Sequence, residues 1–141
     1  MVVLDTDHMT IYERSNSPEY QRVKGRLEQL PLEEKATTIV TYEEQTRGWL
    51  SYTAKARTLV QQIDAYRKLR RHLLVYRMIE VLDFDESAAI IFQRLKQSRL
   101  RIGTMDLKIA AITLAHDATL LTRNLADFRR VPNLKIEDWT V

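Results

Sequence analysis

Carboxylate and amide side chains recur in this sequence close behind short apolar runs. Asp5 directly follows the first such run, and Asn124 and Asp127 follow the fourth. Glu44 lies about one turn into the helix predicted after the second run, and Asp106 lies in the first turn of a later predicted helix. If the apolar runs are parallel strands, their carboxyl ends share one edge of the sheet, where α/β proteins bind ligands. We therefore expect three or four oxygen-bearing side chains to meet in one cleft.

Such a cleft would have a defined chemistry. Several carboxylates in one small site must either take up protons or be neutralised by a cation. Ligands that are all oxygen favour Mg²⁺ or Mn²⁺ over zinc. An ion of this kind activates water and stabilises charge on a phosphoryl oxygen. The predicted reaction is therefore hydrolysis of a phosphodiester.

The elements that would position these side chains alternate along the chain. Short, mostly β-branched runs predict strands, and longer segments with apolar residues at helical spacing predict helices between them. The strands are predicted at residues 2–4, 37–40, 79–82, 119–122 and 135–139, and the best-marked helices at 17–30, 41–52, 53–72 and 106–116. The alternation predicts one domain over residues 1–141, of the α/β class, with a parallel sheet covered by helices on both faces.

Each acid also has an ordinary structural explanation. Asp5 could cap the helix that it precedes. Glu44 comes three residues after Thr41, as in a capping box. Asp106 could simply favour the dipole at the start of its helix. Taken singly, these explanations are the better ones, so the functional interpretation depends on the acids coming together.

The positive charge of the chain is concentrated in residues 47–77. The whole sequence carries a net charge of +3, whereas this segment has eight basic residues and one acid, which gives it +7. A local positive field suits a polyanion, most simply nucleic acid. Judged by charge alone, however, the first interpretation of this segment is the solvated face of a long helix. The candidates for phosphate contacts are Arg47, Arg67, Lys68, Arg70 and Arg71.

Aromatic residues lie among these basic ones. Trp49, Tyr52 and Tyr66 could stack on bases, but packing in the core is the first expectation. The three histidines show no metal-ligand spacing, and we assign them no chemistry; only His8 lies near the predicted site.

Several classes of protein are excluded. The sequence has no cysteine, which excludes a disulfide scaffold, a thiolate zinc site, an iron–sulfur cluster and a cysteine nucleophile. It has no phosphate-loop, dinucleotide-binding or nucleophile-elbow motif. No segment approaches the roughly 20 apolar residues of a membrane helix, and the first residues lack the basic start of a signal peptide. We expect a cytoplasmic protein that does not contact membranes.

Four motifs, in order, resemble those of PIN-domain ribonucleases. VLDTDH at residues 3–8 resembles their opening LDT(N/D), and VTYEE at 40–44, followed by Arg47 and Gly48, resembles their (I/V)T…E…G segment. IGTMDLKIAA at 102–111 resembles IG..D..IAA, and the stretch from residue 115 to 134 resembles the C-terminal end of the family. The similarity spans nearly the whole chain. The short length of the chain is most similar to that of VapC, the toxin of type II toxin–antitoxin pairs.

The resemblance implies a fold, an activity and partners. The fold would be a PIN-like three-layer α/β/α sandwich, and the activity Mg²⁺- or Mn²⁺-dependent cleavage of RNA. Asp5 and Asp106 would be the chief metal ligands, with Glu44 as a further acid and Asn124 positioning a water or a phosphate. A homodimer and a cognate VapB-type antitoxin would be the partners.

The sequence departs from the family pattern at two places. Asp7 stands where many members have asparagine, so it either adds a carboxylate to the site or starts the helix. Asn124 stands where some PIN nucleases have a fourth acid, and its amide brings no charge. Asp127 is the substitute candidate, and a role in the turn is an equal alternative. The number of metal ions stays open.

Two other functions fit the same sequence. A housekeeping PIN nuclease would use the same residues in RNA processing or decay. A binding module without metal would hold RNA or a protein and cleave nothing, although such a module has no need of clustered acids.

Overall fold

Five parallel strands form the centre of the structure, a computed structural model that describes residues 1–13 and 16–141. The strands are β1 (Val2–Leu4), β2 (Lys35–Thr38), β3 (Glu80–Leu82), β4 (Thr119–Leu121) and β5 (Lys135–Glu137). They lie in the order β3-β2-β1-β4-β5, and all four pairings are parallel. The strand order reverses at β1 and β4, so their carboxyl ends flank the crevice where this class of sheet binds ligands.

Helices cover both faces of this sheet. They are α1 (Thr6–Glu13), α2 (Pro18–Leu27), α3 (Ile39–Ala54), α4 (Leu59–Tyr76), α5 (Glu86–Gln97), α6 (Thr104–Ala115) and α7 (Leu125–Phe128), with a short 3-10 helix at Leu32–Glu34. Side chains alternate between the faces of a strand. Val3 and Leu120 belong to one hydrophobic core, with Ile109 of α6, while Leu4 and Leu121 belong to the other. The predicted three-layer α/β/α sandwich is thus confirmed.

The second strand lies two residues earlier than predicted. β2 ends at Thr38, and Ile39 and Val40, predicted as strand, form the first turn of α3. Thr38 caps this helix, because its hydroxyl accepts a hydrogen bond of 3.0 Å from the Thr41 amide. The β-branched run therefore crosses the boundary between strand and helix, and its composition does not mark that boundary.

The long basic helix begins later than predicted. α4 runs from Leu59 to Tyr76 rather than over 53–72, because Thr58 and Gln61 form a capping box that sets its start. The expectation that Tyr52 and Tyr66 pack in the core is wrong, since their side chains are 41% and 61% exposed.

Within residues 1–13 and 16–141, no helix combines the length and the apolar character that crossing a membrane requires.

Candidate active site

Asp5 lies at the end of the central strand and is almost fully buried. It is the cap residue of α1, but only one carboxylate oxygen serves the helix: Oδ1 accepts 2.7 Å from the Thr6 amide. Oδ2 accepts 2.8 Å from the hydroxyl of Thr122, which follows β4. Capping therefore accounts for only one of the two carboxylate oxygens. The other oxygen, Oδ2, lies in the crevice between β1 and β4.

The environment of Asp5 disfavours its negative charge. Burial first, and then the nearby charges of Asp7 and Asp106, raise its pKa to about 7. The hydrogen bonds from Thr122 and the Thr6 amide act in the opposite direction but are too weak to offset burial. A carboxyl with this pKa readily exchanges its proton for a cation near neutral pH.

Asp7 lies in the first turn of α1 and connects three parts of the fold. Its Oδ2 accepts 2.9 Å from the Arg123 amide after β4, and its Oδ1 lies 2.8 Å from Nδ1 of the fully buried His8. Nε2 of His8 accepts 3.1 Å from the Trp139 amide. Since that nitrogen accepts, the neutral ring carries its proton on Nδ1 and donates it to Asp7. Asp7 is therefore held firmly at the rim of the crevice.

Glu44 has a different partner from the one its sequence position predicts. The capping box with Thr41 is wrong, because Thr38 caps α3 and Glu44 lies in the second turn of the helix. Its Oε2 accepts 2.8 Å from the hydroxyl of Thr6. This contact directs Glu44 towards the end of β1, beside Asp5.

Asp106 lies in the first turn of α6 and is partly buried. A helix N-terminus alone stabilises a carboxylate and would lower its pKa. The pKa of Asp106 is instead raised, first by burial and then by the charges of Glu44, Asp127 and Asp7. The helix dipole therefore does not account for this residue. Asp106 is set among like charges.

Asn124 and Asp127 lie side by side after β4. Nδ2 of Asn124 donates 3.0 Å to Oδ2 of Asp127, and the Asn124 amide donates 3.0 Å to the hydroxyl of Thr122. Both residues are therefore in reach of the site. The negative charge of Asp127 helps to raise the pKa of Asp106. The side-chain carbonyl oxygen of Asn124 is left to accept a hydrogen bond.

The side chains predicted from the sequence thus come together at one edge of the sheet. We call the five carboxylates the acid cluster: Asp5, Asp7, Glu44, Asp106 and Asp127. Among the described residues, no three histidine, aspartate or glutamate side chains form a ready metal-binding group. The donors are all oxygen, and two of them have raised pKa values, so a hydrated divalent cation fits their chemistry. Mg²⁺ in particular keeps several waters and can reach a carboxylate through them.

The basic candidates lie on separate surfaces. Lys68 and Arg71 line a cleft between α1, α3 and α4, whereas Arg67 and Arg70 line a shallow groove along α4. Arg47 lies on α3 and forms an ion pair with Glu43, one turn earlier in that helix. The five residues do not form one continuous basic patch.

Sequence reasoning missed three residues that shape the site. Thr6 and Thr122 hold Glu44 and Asp5, and His8 holds Asp7. The signal for the two threonines was available, because each lies within two residues of a strand end and of a candidate site residue: Thr6 follows Asp5, and Thr122 precedes Asn124 by two residues. No signal in the sequence indicated that the His8 ring would be buried against Trp139.

The chain is similar to known proteins in sequence and in fold. The model of the PIN domain family matches residues 2–134. Ribonuclease VapC2 of Rickettsia felis is 38% identical over 65 residues, which cover 43% of this chain and 48% of that protein. The match thus spans about half the length of that relative. Ribonuclease VapC1 of Haemophilus influenzae strain R2866 is 29% identical over 98% of this chain and 97% of its own.

A solved structure has the same fold. It is VapBC2 from Rickettsia felis bound to a DNA fragment from the promoter, which is 26% identical with a TM-score of 0.73. The similarity covers 99% of this chain and 99% of that one.

Proposed function

This chain belongs to the PIN-domain family, and we propose that it is a metal-dependent endoribonuclease, the toxin of a VapBC-type toxin–antitoxin pair. The observation that carries this proposal is the acid cluster at the carboxyl ends of β1 and β4. Burial, and after it the charges of neighbouring members, raise the pKa of Asp5 and Asp106. Such an arrangement costs stability without a cation and is expected in a site that binds one.

The cation we propose is Mg²⁺ or Mn²⁺. Asp5, Asp106 and Glu44 would hold it, with Asp7 and Asp127 as possible additional ligands. When bound, the ion would lower the pKa of a water and offset the charge that develops on the phosphoryl oxygens. The metal choice follows from a donor set that is entirely oxygen.

The protein side chains would orient the reacting groups. Thr6 fixes the direction of Glu44, and Thr122 fixes that of Asp5, so neither acid has to be reoriented when substrate binds. The carbonyl of Asn124 would accept a hydrogen bond from a water, since its amide is occupied by Asp127. Of the five basic candidates, Lys68 and Arg71 lie in the cleft beside Thr6 and would hold the RNA backbone, whereas Arg47, Arg67 and Arg70 lie on other surfaces.

Partner proteins are the second part of the proposal. α4 exposes a row of apolar side chains, each more than half exposed: Leu59, Val60, Ile63 and Tyr66. An apolar surface of this kind in a small protein indicates a protein contact. We propose a VapB-type antitoxin and a second copy of the chain as its partners. We further propose that residues 1–141 act as a single domain, in the cytoplasm where RNA substrates occur.

Cleavage of a mixed pool of transfer, ribosomal and messenger RNA tests the activity. The purified protein is assayed with Mg²⁺, with Mn²⁺ and with EDTA, beside Asp106→Asn and the control Asp117→Asn. Asp117 is 96% exposed and lies outside the acid cluster, and asparagine suits its positive φ of 48°. We expect metal-dependent fragments from the wild type and the control, and none from Asp106→Asn.

Other outcomes separate the alternatives. RNA binding that persists in EDTA, with no cleavage under any ion, would favour the binding module. Cleavage without growth arrest on expression would favour a housekeeping nuclease, whereas arrest relieved by the product of a neighbouring gene would favour the toxin. Full activity of Asp106→Asn would overturn the assignment of the site.

A further inference from the structure

A cleft between α1, α3 and α4 adjoins the acid cluster, and its aromatic wall has no part in the chemistry proposed above. Its volume is about 500 Å³, within the range of roughly 300–1,000 Å³ that small-ligand sites occupy. We call it the aromatic–basic pocket, and the residues that matter here are Thr6, Gln45, Trp49, Tyr52, Lys68 and Arg71.

Two aromatic side chains form one wall of the pocket. Trp49 and Tyr52 contact each other edge to face, with ring centroids 5.7 Å apart and an angle of 86° between their planes. The Tyr52 hydroxyl donates 2.5 Å to Asp64, and Lys68 Nζ lies 4.8 Å from the centre of the Tyr52 ring. These contacts hold the ring in place although 41% of the residue is exposed. An exposed aromatic wall that is already held in position is a preorganised surface on which a planar ring can stack.

Two basic side chains lie at the rim of the pocket. Lys68 comes from α4, and its Nζ donates 3.1 Å to the Tyr52 hydroxyl and lies 3.1 Å from Oδ2 of Asp64, with which it forms an ion pair. Arg71, one turn further along the helix, donates to the Glu13 carbonyl at the end of α1 and remains exposed. Both residues belong to the segment with a charge of +7. The rim thus complements an anion, and the wall beneath it complements a flat ring.

The pocket is continuous with the acid cluster through one residue. Thr6 lines the pocket, and its hydroxyl is the donor to Glu44. A bound polymer with one unit in the pocket would therefore place its next unit at the acid cluster. A nucleic acid strand would use both features, because its phosphates complement basic side chains and a bound cation while its bases stack on aromatic rings.

We propose that the aromatic–basic pocket binds one unpaired base of the RNA substrate, next to the phosphate that is cleaved, with a flanking phosphate on Lys68 and Arg71. This inference rests on the proposed endoribonuclease function. Single-stranded RNA is commonly held by bases that stack on aromatic side chains, and such stacking tolerates any sequence. The pocket would therefore require an unpaired nucleotide beside the cut, rather than a particular base.

Binding of short single-stranded RNA to the Asp106→Asn protein in Mg²⁺ tests this proposal without cleavage. One oligonucleotide carries the fluorescent base 2-aminopurine at the position beside the cut, and a matched one is abasic there. We expect Trp49→Ala to weaken binding of the first about tenfold or more and to leave the second nearly unchanged. Lys68→Ala should weaken both, less so at high salt, whereas Lys55→Ala, in the same basic segment but outside the pocket, should not.

Thermal melting of each variant shows whether it folds, and Tyr52→Ala gives an independent test should Trp49→Ala fail to fold. Equal RNA affinity of the pocket variants and the control would overturn the pocket assignment and leave the cleft to a peptide. Failure of the Asp106→Asn protein to bind any RNA would instead refute the proposed function itself. If binding quenches the 2-aminopurine fluorescence and this quenching is lost in the Trp49→Ala or Tyr52→Ala variant, the result would support stacking directly.

Discussion

The hydroxyl of Thr6 donates a hydrogen bond of 2.8 Å to Oε2 of Glu44, joining the start of α1 to the second turn of α3 across 38 residues of sequence. This bond turns a helix-surface acid towards the end of the central strand. Thr6 also lines the aromatic–basic pocket, so one side chain links the acids to the place where we expect a base to bind.

Thr6→Val should therefore reduce RNA cleavage while the protein stays folded. Valine keeps the shape of threonine but leaves Glu44 without its donor. Hydrogen bonds to charged groups contribute roughly 1.5–3 kcal/mol, so we expect the cleavage rate to fall about tenfold or more. The control is Thr53→Val, since the Thr53 hydroxyl donates only to a carbonyl of its own helix. Rates that are equal in the two variants would show that Glu44 needs no such support.

Asp106→Asn should raise the thermal stability of the metal-free protein as it removes activity. The pKa of Asp106 is raised by burial and by three neighbouring carboxylates, so its charge opposes folding at neutral pH. Asparagine has a similar shape and no charge. Differential scanning calorimetry in EDTA would detect the higher Tm, and Mg²⁺ should stabilise the wild type more than the variant. A lower Tm for the variant in EDTA would contradict mutual repulsion at this site.

Asp5 should make the metal-free protein less stable as the pH rises towards neutrality. Its pKa is 3.8 in the reference state and about 7 in the fold, so the folded protein binds the proton more tightly. The resulting stabilisation is fully present below pH 3.8 and is lost as the pH rises through about 7. Urea unfolding in EDTA across this range should show a decline that Asp5→Asn lacks. Mg²⁺ should restore stability increasingly over the same range, because binding requires the deprotonated carboxylate.

The same pH slope in the wild type and in Asp5→Asn would remove Asp5 as the cause. A stabilisation by Mg²⁺ that did not change with pH would show that the cation binds elsewhere.

His8→Ala should destabilise the fold by about 2 kcal/mol or more. It leaves the Trp139 amide and a carboxylate oxygen of Asp7 without their partner and empties a fully buried site. Because Trp139 loses its anchor, its fluorescence should change in the folded variant. The matched control is His116→Ala, since His116 is exposed and surface changes of this kind stay within roughly 0.5 kcal/mol. Equal stability of both variants would show that the C-terminal residues are held by other contacts.

Most of the fold could be predicted from local patterns. The run Val2–Leu4 is short, apolar and β-branched, and it is the central strand of the sheet. The cap at Ser17 also begins a helix where expected, because its hydroxyl accepts a hydrogen bond from the amide of Tyr20, three residues later. These features depend on neighbouring residues alone, so the sequence contains what is needed to predict them.

Errors arose where one local signal had two solutions. Thr38 and Thr41 are both able to cap a helix, and only the length of strand that pairs with β1 selects Thr38. Exposed aromatic residues gave the same difficulty. Tyr52 and Tyr66 have the composition of core residues, and their exposure follows from α4 packing along α3 rather than over the sheet.

At the site, the order of residues was enough to identify the side chains that bear oxygen and to show that they follow the strands. It was not enough to identify their partners. Which acid Thr6 would bond, whether Asp127 would approach Asp106, and how far burial would raise the pKa of Asp5 all depend on distances between residues far apart in the chain. These features required the folded arrangement, because electrostatic repulsion and desolvation depend on separation and burial in space, whereas a sequence specifies only the order of residues along the chain.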